Sequence, residues 1–193
     1  ELKINIYNYS KTVVQSLKEQ NTLPDIIQIG NEIDNGMLWP IGHITNIRQF
    51  TDLLDAAIRG VNSALTETER KKLAIMLHIS SGGNLEKSEW FFNQMIKYKV
   101  NFDIIGLSYY PWWHGSLKKL EENINNLSIK FMKDIIIVET GYPWTLKWRD
   151  NTHNIVGTEK QLLEGYPATI EGQKAFISKI IEILKTAPNK KGR

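Results

Sequence analysis

Two short apolar runs in this chain each end in a carboxylate. One is Asp25-Ile26-Ile27-Gln28-Ile29-Gly30-Asn31-Glu32; the other is Asp134-Ile135-Ile136-Ile137-Val138-Glu139-Thr140-Gly141. Both are β-branched, too short for a helix and followed by turn-forming residues, which predicts strands. A hydrophobic strand whose last residue is an acid sets that acid at the mouth of a parallel barrel, where such proteins keep their chemistry. Two carboxylates on separate strands suit hydrolysis of a glycosidic bond, one as acid/base and one as nucleophile, about 5–5.5 Å apart in the retaining case. The nucleophile must stay ionised and wants hydrogen-bond donors around it. The acid must hold its proton near neutral pH and wants a less polar setting with a charged neighbour. Either glutamate taken alone is read equally well as a surface or ion-paired residue.

The elements that would position them alternate. Ile6, Tyr9, Val13 and Leu17 keep helical spacing ahead of the strand over 25–31. Ile47, Phe50, Leu53, Leu54, Ala57, Ile58, Val61 and Leu65 then make a long amphipathic helix. A strand over 73–80 follows, and Asn84 is placed to cap a helix carrying Leu85, Phe91, Met95 and Tyr98. Residues 102–110 form a third strand, Leu117, Leu120, Ile124 and Leu127 a fourth helix, and 135–139 the fourth strand. A last helix runs from about Thr169 and stops before Pro188. Strict alternation with near-continuous apolar strands means an α/β protein with a parallel sheet. A doubly wound sheet would bind its ligand at a glycine-rich first turn, and neither G-x-G-x-x-G nor a P-loop is present. A (β/α)8 TIM barrel suits the glutamate positions better, but it takes about 250 residues. Residues 1–193 therefore read as a partial catalytic domain, helix 3 to helix 7 of such a barrel, with strands four to seven present and strands one to three and eight missing. Two sheet edges would then be open.

Composition excludes several other roles. The chain is 41% hydrophobic and 10% aromatic, as an ordinary globular domain is. No apolar run approaches the roughly 20 residues of a membrane span. A net charge of +3 with dispersed basic residues argues against a nucleic-acid partner. Absence of cysteine excludes disulfides and thiolate metal sites. The chain shows no signal peptide.

Three strand ends carry longer motifs. After the first strand comes Gly30-Asn31-Glu32-Ile33-Asp34-Asn35-Gly36-Met37-Leu38-Trp39-Pro40. After the third comes Gly106-Leu107-Ser108-Tyr109-Tyr110-Pro111-Trp112-Trp113-His114-Gly115, and after the fourth Val138-Glu139-Thr140-Gly141-Tyr142-Pro143-Trp144-Thr145. Together, in this order, they closely resemble glycoside hydrolase family 53, the endo-β-1,4-galactanases acting on the galactan side chains of pectin. The resemblance implies that Glu32, after Asn31, is the acid/base and that Glu139 is the nucleophile. It also implies that Asn31 donates to the sugar 2-hydroxyl, and it implies no required cofactor. The expected partner is the polysaccharide, β-1,4-galactan or type I arabinogalactan, met outside the cell or at its surface by a protein that is a monomer when complete.

Strand side chains alternate, so Ser108 and Tyr110 share one face and Tyr109 takes the other; Tyr110 is the expected donor to Glu139. His78 ends a strand and is expected to line the cleft near Glu32, although a structural histidine fits the pattern as well. Trp39, Trp112, Trp113, Trp144 and Trp148 follow strand ends, and only Trp90 lies within a helical pattern. Flat indoles suit the apolar faces of sugars at low entropic cost, so two or three of the five are expected to contact sugar, and at least two of Trp39, Trp112, Trp113 and Trp144 to line the substrate groove. Asp150, His153 and Asn154 resemble the loop in which bacterial members of the family bind calcium, with oxygen ligands suited to that ion. Here His153 and Asn154 are adjacent rather than alternating, and a solvated polar loop reads the same residues. Rival readings are a mannanase or cellulase of the same barrel clan, and a non-catalytic carbohydrate-binding protein. A third concerns the chain alone: a partial barrel, enzymatically dead without the other strands.

Overall fold

A computed structural model describes residues 1–193. Its main elements are α1 (Leu2–Glu19), β1 (Ile26–Gln28), α2 (Ile47–Ser63), α3 (Glu67–Lys72), β2 (Ala74–Ile79), α4 (Leu85–Lys97), β3 (Ile104–Tyr109), α5 (Pro111–His114), α6 (Leu117–Phe131), β4 (Asp134–Thr140) and α7 (Ile170–Thr186). The four strands make one parallel sheet in chain order, β1-β2-β3-β4. β1 and β2 pair with Ile26, Ile27 and Gln28 opposite Ala74, Ile75 and Met76. This is the repeating strand–helix unit of a (β/α)8 barrel, present here in part.

Burial follows position in the sheet. Every residue of β3 is buried, and so is all of β2 but its first, whereas β1 and β4 keep partial exposure along most of their length. An outermost strand has no neighbour to cover its second side, as expected of a sheet with two edges. The edge at β4 is covered at its start. Lys191–Arg193 lies parallel beside it, with Ile135 N donating to Lys191 O (2.7 Å) and Arg193 N to Ile135 O (3.0 Å). Lys191 and Arg193 also bond the two oxygens of Asp134 at 3.2 and 2.8 Å. Burial alone would raise the Asp134 carboxyl, but these two cations outweigh it and hold it below the usual range. The periodicity that stops before Pro188 gives no hint of this strand-like end.

The chain packs as two compact units, residues 1–79 with 89–106, and residues 80–88 with 107–193. In the first, Phe50, Leu54, Ala57 and Val61 of α2 are buried, as are Ile75, Leu77 and Ile79 of β2 and Phe92 and Met95 of α4. Phe92 and Phe102 pack with ring centroids 5.6 Å apart. Asp103 closes the end of β2, its carboxylate accepting from Ile75 N (2.8 Å) and from Arg70 (3.2 Å). In the second unit the core comprises Leu107 and Tyr109 of β3, Leu120, Ile124 and Leu127 of α6, Ile135, and Phe176 and Ile180 of α7.

Two short helices escape hydrophobic periodicity. α3, Glu-Thr-Glu-Arg-Lys-Lys, has no buried residue and owes its start to a capping box, Thr66 with Glu69. α5 is a single turn opened by Pro111, too short to show a period. The strand expected over 25–31 pairs only across 26–28, because the chain turns away at Gly30, in the left-handed region (φ 76°).

Glu69 links α1 to α3. It accepts from Lys18 Nζ (2.7 Å), Thr66 N (2.7 Å) and the Thr66 hydroxyl (2.8 Å), and the Lys18 bond above all lowers its pKa from the ordinary 4.5 to about 2. The unfolded chain takes up this proton first, so the stability Glu69 contributes is whole above about pH 4.5 and is lost as pH falls toward 2. Urea unfolding at a series of pH values from about 6 down should show a falling acid limb that Glu69→Gln flattens. An unchanged limb in the variant would assign the acid sensitivity elsewhere.

Candidate active site

The carboxyl end of β1 delivers Glu32 through a closed loop. After Gln28 the chain keeps one more ladder bond, Ile29 N to Met76 O (3.1 Å), and then turns. Glu32 itself is left-handed (φ 46°, ψ 57°) at the head of a 3-10 turn, Ile33–Asn35, whose Ile33 is fully buried and anchors it. Gly36 (φ 87°) lets the loop fold back so tightly that a Cβ there would lie 2.0 Å from Gly42 O. A non-glycine residue would therefore be strained and would also clash. Trp39 sits on this loop, exposed, its indole N–H donating to Asn35 O (3.0 Å) and its ring edge-on to His43 at 4.4 Å.

A short polar relay orients Asn31. Gln28 Nε2 donates to Gly30 O (2.8 Å) and to Asn31 Oδ1 (3.1 Å), and His78 Nδ1 lies 3.2 Å from the same oxygen. An amide oxygen only accepts, so His78 bonds it as the Nδ1–H tautomer, and the Asn31 NH2 points its hydrogens elsewhere. His78 is fully buried, and a ring nitrogen of it lies within 4.8 Å of a Glu32 carboxylate oxygen. His78 thus holds Asn31 from below, while Asn31 and Glu32 are exposed.

In the second unit the end of β3 splits two tyrosines between two faces. Tyr109 points into the core, fully buried, with its ring stacked on Phe176 (6.2 Å, 14°) and its hydroxyl donating to Gly115 O (2.7 Å). Burial pushes that hydroxyl well above the usual phenol range, so it stays a neutral donor. Tyr110 turns to the rim, and its hydroxyl donates to Glu139 Oε2 (3.3 Å). His114, which the sequence did not single out, accepts from Tyr110 N at Nδ1 (3.0 Å) and closes α5 onto the strand end. Thr140 ties β4 to β3 through Tyr109 O (2.7 Å), which fixes the residue beside Glu139.

Aromatic rings surround Tyr110. Trp112 and Trp113 lie 5.6 and 5.5 Å from it between ring centroids. Tyr110, Trp112, Tyr142 and Trp144 line one cleft of about 390 Å3 together with Arg149, whose guanidinium stacks 4.7 Å from the Trp144 ring. Tyr142 and Arg149 are further residues that strand-end counting missed. Tyr142 is held by its stack on Phe176 (4.4 Å) and by two bonds of its hydroxyl. The Trp112 indole N–H is sealed from solvent without an acceptor, an unusual state for a buried donor. Trp113 and Trp144 are exposed. So is Trp90 on α4, hence exposure alone does not mark a sugar contact.

The loop after β4 is more open. Asp150 Oδ1 accepts from Thr152 N (2.8 Å) and the Thr152 hydroxyl (2.6 Å), bonds that hold its carboxyl below the usual range. His153 packs edge-on against Trp148 at 4.2 Å, and Asn154 Nδ2 donates to Leu146 O (3.4 Å). An ionised carboxylate and an amide oxygen suit a hard cation, but calcium takes about 6–8 oxygens. Backbone carbonyls and water would have to supply the remainder.

These motifs place the protein among the glycoside hydrolase barrels. The chain belongs to glycosyl hydrolase family 53, whose family model matches residues 1–193. It is 40% identical over 191 residues to a Niallia circulans protein described as "Uncharacterized protein in bgaB 5'region", covering 97% of this chain and 52% of that one. It is 33% identical over 193 residues to the arabinogalactan endo-beta-1,4-galactanase of Cellvibrio japonicus, covering 97% and 50% respectively. The solved catalytic domain of an Ignisphaera aggregans family member superposes with a TM-score of 0.91 at 36% identity, over 100% of this chain and 52% of that one. The chain spans about half the length of the curated relatives it matches.

The two tyrosines should separate in a stability measurement. Tyr109→Phe keeps the ring stack but leaves Gly115 O without its buried donor, at a cost of about 1–3 kcal/mol. Tyr110→Phe acts at the half-exposed rim and should shift the melting temperature far less. Equal losses would mean that Tyr110 is structural and not poised for chemistry.

Proposed function

We propose that the protein carrying this chain is an endo-acting, retaining β-1,4-galactanase, hydrolysing galactan or type I arabinogalactan by double displacement. The observation that carries this is the Tyr110 hydroxyl on Glu139, at the end of a strand whose motif is the family's. Glu139 is the nucleophile. A donor on one carboxylate oxygen fixes the orientation of the group and leaves the other oxygen to attack the anomeric carbon. Glu32, at the end of another strand of the same parallel sheet, is the acid/base: it protonates the departing glycosidic oxygen, then deprotonates the water that releases the product. Asn31, its oxygen engaged by Gln28 and His78, has its NH2 to offer the sugar 2-hydroxyl. Trp39, Trp112, Trp113 and Trp144 supply rigid faces for galactosyl rings. No redox cofactor enters the reaction. Galactan is an extracellular polymer, so the protein acts secreted or at the cell surface, and as a monomer.

Azide rescue tests the assignment on the complete protein. Glu139→Ala should lose several orders of magnitude in kcat, because no glycosyl-enzyme forms. Glu32→Ala should retain much of its first step on an aryl galactobioside, whose acidic phenol leaves with little protonation. Azide should give β-galactosyl azide with Glu32→Ala, by attack on the α-linked intermediate, and the α-azide with Glu139→Ala. The opposite stereochemistry would exchange the two roles, and no cleavage of galactan by the wild type would remove the function.

Calcium at Asp150, His153 and Asn154 is the second part of the reading, supported by the charged state of Asp150 and the family's habit. Calcium at millimolar concentration should raise the melting temperature by a few degrees, through binding to the folded form alone, and Asp150→Ala should abolish the rise. A rise that survives the substitution, or none at all, would count against this site.

A further inference from the structure

A second cleft of about 540 Å3, sharing Trp112 with the first, opens between the loop after β2 and the loop after β3. Asn84, Lys87, Trp113, His114 and Lys119 are among its lining residues, and no aspartate or glutamate is. Both lysines are exposed, and neither ammonium has a carboxylate partner. The floor is rigid. A Cβ on Gly83 would lie 1.9 Å from His114 O, so the two loops meet backbone to backbone. Buried Asn123 binds Gly82 O (2.8 Å) and Ser88 Oγ (3.0 Å), and Ser88 returns to Ser81 O (3.0 Å). Asn84 Oδ1 accepts from Lys87 N (3.0 Å) and starts α4 beneath the lysine. The cleft is joined to the reacting centre by one aromatic layer: Tyr110 bonds Glu139, and the exposed Trp113 ring packs on Tyr110 at 5.5 Å. A polymer held at Glu139 and extended past Trp113 would meet a cleft whose lining includes both cations.

We propose that this cleft is a subsite for an acidic sugar, a uronic acid carried by the polysaccharide, its carboxylate taken by Lys87 and Lys119 and its ring set against Trp113. The inference rests on the galactanase reading. A neutral galactosyl unit would leave both ammonium groups unmatched. Ammonium groups on flexible stems act as point charges without a fixed fork, so the carboxylate position can vary with the branch. Exposed charges are screened, so the preference is salt-dependent.

The test compares three substrates on the complete protein: an unsubstituted galactan oligosaccharide, one bearing a galacturonic acid unit, and the methyl ester of the latter. At low salt the acid should show a KM roughly three- to tenfold below that of its ester, as expected for two solvent-exposed ion pairs. Lys87→Ala with Lys119→Ala, or about 0.5 M sodium chloride, should erase the advantage and leave the unsubstituted substrate unchanged. Equal KM values for acid and ester in the wild type, or an advantage surviving in the double variant, would overturn the proposal. So would inorganic phosphate competing as well as free galacturonate, since the cleft would then bind any anion. If unsubstituted galactan is not cleaved at all, the galactanase reading fails instead. Calorimetric binding of free galacturonate to wild type and double variant then still decides whether the cleft takes an acidic sugar.

Discussion

Alternation at the end of β3 is the constraint on which this site turns. Successive strand residues face opposite ways, so two adjacent phenols must part company. Tyr109 drives its ring onto Phe176 and its hydroxyl onto Gly115 O, nailing the far end of α5 to the core. Tyr110 is thereby forced to the rim, where its backbone N–H meets His114 and its hydroxyl meets Glu139. The tryptophans of α5 take their places around Tyr110 as a consequence. Had the register slipped by one residue, the core phenol and the rim phenol would exchange, and both the packing and the carboxylate contact would be lost.

The other glutamate is positioned by a different device. Glu32 lies beyond the last ladder bond of β1, on a loop with four left-handed residues, Gly30, Glu32, Gly36 and Leu38. Such a loop holds its shape through what lies inside it: Ile33 buried as an anchor, Asn31 pinned by Gln28 and His78, and the Gly36–Gly42 approach closing the base. A buried histidine supporting an exposed asparagine is an arrangement in which the ring need never touch the ligand to matter. It decides which way the amide faces.

Strands, long helices and both glutamates were legible because each leaves a period or a chemical signature. β2 and β3, buried on both faces, read as unbroken apolar runs, and Asn84 announced α4 through the cap it makes. The two short helices were not legible in that way. α3 has no apolar face at all, and its capping box was its only mark; α5 is one turn long. Tyr110 could be chosen over Tyr109 from alternation alone. His114, Tyr142 and Arg149 could not be chosen, because their roles come from contacts across 4 to 34 positions of sequence, such as Tyr142 on Phe176. The pairing of Lys191–Arg193 beside β4 was hidden for the same reason: three residues carry no period.

The closeness of Gly83 to His114 O bears on how the rim of this fold can diversify. With backbone against backbone and a glycine at the contact, there is no room for a side chain at residue 83 while the neighbouring loop stays put. Gly82, whose absent Cβ would meet Ser108 O at 2.3 Å, repeats the restriction one residue earlier. A loop swapped in from a relative would fit here only if it keeps a glycine facing the carbonyl of residue 114, whatever side chain that residue carries.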